Sequence, residues 1–138
     1  MTTTGPADMK ELVDEATALW RELREALDAR QVAAANGNGA RYWNSAITYA
    51  HLDHWQRYTV ESLTRRLAGL PELEELDREV VNDRWAGEDT GLSLTEARRR
   101  CVESRAKLLS LATATGELAA INDHLIDHVR EHLGYLRG

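Results

Sequence analysis

The residues of this 138-residue chain best equipped for chemistry are its five histidines. His51 and His54 lie near the middle, while His124, His128 and His132 follow one another at four-residue steps towards the end. On a helix, residues four apart sit one turn above each other, with Cβ atoms about 5–6 Å apart. An HxxxH pair can therefore direct two imidazoles to one ion. Zinc takes neutral histidine nitrogens at about 2.0–2.1 Å, and a catalytic site typically keeps three protein ligands plus an open position. At about 100° per residue, His128 and His132 fall inside the apolar stripe of Ile121, Leu125, Val129 and Leu136, with His124 at its edge. The inward pair is His128/His132. A third ligand must come from a facing helix, where His51 and His54 both point inward and spacing does not choose between them. A lone inward histidine is ordinarily a hydrogen-bonded core residue, and HxxxH recurs by chance. Several imidazoles on the inward faces of two helices, without a metal, would carry the cost of unpaired buried polar groups.

Four amphipathic segments are available to position these side chains. The first spans about Ala7 to Ala35, where Met9, Leu12, Val13, Ala16, Leu19, Trp20, Leu23, Ala26 and Leu27 recur at three- and four-residue steps after Pro6. Asn36 to Ala40 then stops it, because Gly and Asn tolerate left-handed conformations. A second helix covers about Arg41 to Ala68, with Ile47, His51, His54, Trp55, Tyr58 and Ser62 on one side, and Gly69 to Pro71 closes it. The acidic stretch from Glu72 to Gly91 allows a short extra helix or a loop. Ser93 and Glu96 read as a capping box opening a third long helix to about Thr115, which Gly116 breaks. A fourth runs from about Glu117 to Leu136. None of these segments can bury its apolar face alone, so the expected fold is all-α: one four-helix bundle over residues 1–138, with 1–6 a flexible tail.

Composition agrees with helices: 43% hydrophobic and 29% charged, without Phe and with two Pro. The net charge of −6 provides no basic field for nucleic acid or an anionic membrane. The single Cys leaves no internal disulfide. No apolar run approaches a membrane span, and the first residues lack the order of a signal peptide, so the expected location is the cytoplasm.

The order and spacing of these pieces resemble the DinB-like (damage-inducible) superfamily of four-helix-bundle metalloenzymes, nearest in pattern to its ClbS/DfsB-type branch. The second helix of that family starts with a Trp, reaches a His eight residues later and a Trp four further on, as do Trp43, His51 and Trp55 here. An Asn near a short helix and a Leu-Ser-Leu entry to the next helix match VVNDRWAGEDTGLSLTEA, with Asn82 and Trp85. HLIDHVREHLGYLR matches the final helix, with His128, Glu131, His132, Tyr135 and Arg137. The likeness covers about Trp43 to Arg137.

The resemblance implies a divalent metal, zinc or nickel, held by His51, His128 and His132, which selects His51 over His54. It leaves His54 and His124 as extra groups, candidates for moving protons at the open position. It also implies small-molecule chemistry, hydrolytic or thiol-dependent, with a low-molecular-weight thiol as a possible partner. Trp43, Trp55, Trp85 and Tyr58 are candidates to line the substrate pocket, although core packing explains bulky aromatics equally well. A homodimer is compatible with a bundle of this size. The competing expectation is a non-enzymatic binding or stress-protection bundle whose histidines are structural. Cys101 reads as a small buried residue, Arg98, Arg99 and Arg100 as partners of the abundant acids, and Asp53 and Asp127 as lying off the inward stripe.

Overall fold

In the computed structural model, which describes residues 6–29 and 43–137, the chain is helical and its long helices form a bundle. Helix α1 is Pro6–Ala29, α2 is Ser45–Leu67, α3 is the short Arg78–Glu88 and α4 is Leu94–Thr115. The last segment, α5, is continuous but changes pitch. It is α-helical over Leu118–Ala120, π-helical over Ile121–Asp127 and α-helical again over His128–Arg137. The expected end of the first helix, its Asn36 to Ala40 stop and the expected start of the second near Arg41 lie outside the described residues, as does most of the 1–6 tail.

Local chemistry sets the helix ends. The Asn44 side chain accepts from the Ile47 amide at 2.8 Å, Asp77 from the Val80 amide at 3.3 Å and Ser93 from the Glu96 amide at 3.1 Å. Each satisfies an amide that has no partner within its helix. The expected return contact from Glu96 is replaced: its carboxylate accepts from Arg99 and Arg100 instead. Gly116 ends α4 at φ 71°, where a side chain would be strained.

Helix α2 packs along α4, and α1 packs along α5. Trp20, Leu23 and Leu27 of α1 meet Tyr49 and Leu52 of α2, Cys101 of α4 and Val129 and Leu133 of α5 in one core cluster. A second cluster joins Ala16, Leu63, Leu108, Ile121 and Leu125 at the other end. The α1 stripe is where its periodicity puts it. For α2 the expected single stripe is too narrow. Leu52, Asp53, Gln56 and Leu63 are buried as well, because α4 covers a face that the histidine-bearing stripe does not. Asp53, expected off the inward face, is 2% exposed.

Candidate metal centre

Three histidines converge from two helices. His51 sits two turns into α2, and His128 and His132 lie one turn apart in the last α-helical part of α5. The π-helical stretch ends directly before them. There the His128 amide donates to the carbonyl of Asp123, five residues back, and the chain is α-helical again over His128–Arg137. Wide turns of this kind recur at functional sites.

The Nε2 atoms of His51 and His128 are 3.1 Å apart, and those of His128 and His132 3.2 Å. One ring nitrogen from each of the three histidines fits within 4.8 Å of the other two. Two nitrogens bonded to one zinc at about 2.0–2.1 Å stand roughly 2.8–3.4 Å apart over octahedral to tetrahedral angles. The three histidines thus lie close enough together to hold a metal ion, and the donor set fits. All three are buried, at 5%, 9% and 3% exposure. Burial, reinforced by the neighbouring imidazoles, holds His51 far below the usual histidine range and His128 down to about 3; burial alone holds His132 down to about 4. The rings are therefore neutral at pH 7, the form that ligates a metal. The Nδ1 of His51 is buried without a hydrogen-bond partner, so nothing among the described residues fixes that ring from behind.

A cavity of about 590 Å³ opens on this cluster, lined by all three histidines together with Trp43, Glu131 and Tyr135. The Trp43 ring lies 4.7 Å from His51 and stacks on His132 at 6.3 Å and 22°. On the other side of His128 a second cavity of about 440 Å³ is lined by Trp55, Arg78, Asp123, His124 and Asp127. His128, Arg78 and Glu131 belong to both.

The other candidates divide between this groove and its supports. His124 lines the second cavity, with its Nε2 3.2 Å from Thr59 Oγ1, and burial lowers its pKa. His54 is turned away: its Nε2 pairs with Asp89 at 2.9 Å and its ring stacks on Trp85 at 4.5 Å. Trp55 donates from Nε1 to Asn82 at 2.9 Å, tying α2 to α3 while lining the second cavity. Tyr58 donates to the Glu74 carbonyl at 2.7 Å and lines a smaller cavity with Thr59 and His124. Trp85 lines neither cavity beside the histidines and serves as the platform for His54.

Sequence reasoning missed Arg78, Glu79 and Asp83. They reach the groove because α3 lies over it, and the only signal was a mixed acidic stretch with no clear stripe. Cys101 is fully buried, its thiol pushed up by burial, and Gln56 Nε2 donates to its carbonyl. Arg98 pairs with Asp28, Arg99 with Glu96 and Glu103, and Arg100 with Glu96, as expected. Asp127 is exposed and interacts with Arg130 and Asn122 rather than with a histidine.

Compared with known proteins, the chain matches no family model, no curated protein and no solved structure. No described helix is long and apolar enough to cross a membrane.

Proposed function

We propose that the chain is a metal-dependent enzyme of the DinB-like type, acting on a small molecule at a divalent zinc or nickel ion held by His51, His128 and His132. The observation that carries this reading is the meeting of three buried, neutral Nε2 atoms beside a cavity large enough for a small ligand. An ion held there supplies Lewis acidity and makes a nucleophile available near neutral pH, which suits hydrolysis or transfer to a low-molecular-weight thiol. The chain's own residues bind and orient: Trp43 covers the His51 and His132 rings and narrows access for water. His124, on the wall beside His128, is the group placed to accept a proton from a ligand in the second cavity. His54, bound to Asp89, acts as a support for α3.

A second reading has its own observation. Separations of 3.1 and 3.2 Å are each also that of an imidazole–imidazole hydrogen bond, although His128 Nε2, with one hydrogen or one lone pair, can make only one of the two in a metal-free binding protein. Metal analysis of tag-free protein separates the two. The enzyme reading expects close to one equivalent of metal, or a rise in Tm on adding zinc or nickel that His128→Ala/His132→Ala abolishes. No bound metal and the same Tm response in the double variant would sink it.

A further inference from the structure

His124 stands between two cavities, the second one beside His128 and the smaller one that it shares with Thr59. Which of its nitrogens can take a proton is decided by Thr59, a residue of α2 that lines only the smaller of these two. Thr59 Oγ1 lies 2.8 Å from the Trp55 carbonyl, one turn back in α2, and 3.2 Å from His124 Nε2. A hydroxyl has one hydrogen, and a carbonyl oxygen can only accept. That hydrogen therefore goes to Trp55, the bond by which a threonine within a helix commonly satisfies itself, and the oxygen turns a lone pair to His124. Two lone pairs facing each other would leave both groups unbonded, so His124 Nε2 is the nitrogen that carries hydrogen. A neutral imidazole holds only one such hydrogen, and burial, the largest influence on this ring, keeps it neutral at pH 7. Nδ1 is thus left with its lone pair. It has no hydrogen-bond partner among the described residues, and it is not shut in as the Nδ1 of His51 is.

We propose that Thr59 is a positioning residue for the reaction: by accepting from the Nε2–H of His124 it fixes the ring in one tautomer and presents Nδ1 as the proton acceptor. A ligand O–H, S–H or N–H in the cavity beside His128 gives its proton to Nδ1 and keeps the electron pair. The ring becomes an imidazolium whose Nε2–H still rests on Thr59, so the transfer breaks no hydrogen bond of the protein. The inference rests on the proposed reaction for its purpose, while the tautomer itself does not depend on a bound metal. Nitrogen-15 NMR of the labelled, full-length, tag-free protein at pH 7 tests it, with the His124 signals assigned by comparison with His124→Gln. Hydrogen should sit on Nε2, with Nδ1 unprotonated, in the parent protein and in Thr59→Ser, which keeps the hydroxyl. Thr59→Val keeps the branched shape without the hydroxyl and should give a mixture of the two tautomers, the two nitrogen shifts moving towards each other. A threonine with a merely structural role would lower Tm on that change and leave the shifts in place. Hydrogen on Nδ1 in the parent protein, or unchanged shifts in Thr59→Val, would overturn the inference. If Thr59→Val does not fold, the parent and Thr59→Ser spectra decide it. Zinc uptake measured on the same samples keeps the two readings apart. Zinc bound with hydrogen on Nδ1 defeats the tautomer inference alone, and hydrogen on Nε2 without zinc uptake defeats the metal reading alone.

Discussion

Helix α2 buries polar side chains on two faces, and the two treat them differently. Against α4, Gln56 closes on unlike partners, its Nε2 donating to the Cys101 carbonyl at 3.0 Å and to Ser104 Oγ at 2.8 Å, while Asp53 pairs with Arg57 at 2.8 Å and leaves its Oδ1 without a hydrogen-bond partner. Nearby, Tyr49 donates to Asp28, which also holds Arg98. Against α5, the polar groups are alike: His51 meets His128, His128 meets His132, and the far nitrogen of His51 meets nothing. A polar interior built for stability matches donors to acceptors, because an unmatched buried group costs more than a formed bond returns. Three like imidazoles in one buried place make little sense as stabilisation and good sense as a ligand set.

The contrast can be broken in several ways, the largest concerning metal affinity. His128 stands between the other two histidines, so His128→Ala should cost at least about 100-fold in zinc affinity, measured by competition with a chromogenic chelator. A loss under threefold would return the α5 face to the structural class. The α4 face should answer in stability instead. Gln56→Leu leaves the Ser104 hydroxyl short of a partner and should cost about 1–3 kcal/mol in denaturant unfolding, with zinc affinity unchanged.

Acid should also act on the α5 face. The folded values of His128 and His132, about 3 and about 4, lie below the ordinary 6.5, so as pH falls the unfolded chain takes up protons before the folded one. Stability of the metal-free protein is then full above about pH 6.5 and falls from there to about pH 4 for His132 and about pH 3 for His128, each contributing a slope of at most about 1.4 kcal/mol per pH unit. A Tm that does not change between pH 7 and pH 5 would contradict the burial of neutral rings. The smallest effect belongs to the support of α3: Asn82→Ala removes the acceptor of the Trp55 indole and should cost about 1 kcal/mol, read by thermal unfolding.

Much of the fold was legible, because α1 carries a plain stripe and because Ser93 and Gly116 mark the boundaries of α4 with side-chain and backbone chemistry that sequence displays directly. The inward pair His128/His132 was legible for the same reason, helical spacing. The burial of Asp53 and Gln56 was not, since a helix covered on two faces shows no clean polar side; Gln56 hides inside matched hydrogen bonds, and Asp53 is buried with its Oδ1 unmatched. The π-helical stretch of α5 was hidden too: a count at about 100° per residue assumes one pitch throughout, and Ile121–Asp127 departs from it. The placing of Glu79 and Asp83 at the groove depends on where α3 comes to lie, a long-range matter that no local pattern in Arg78–Glu88 encodes.

Whether one ion sits among the three histidine nitrogens is tested most directly by crystals grown with zinc and measured across the zinc absorption edge. One anomalous peak is expected at about 2.0–2.1 Å from the Nε2 atoms of His51, His128 and His132. A cluster without a peak, or zinc bound only at surface carboxylates, would contradict it.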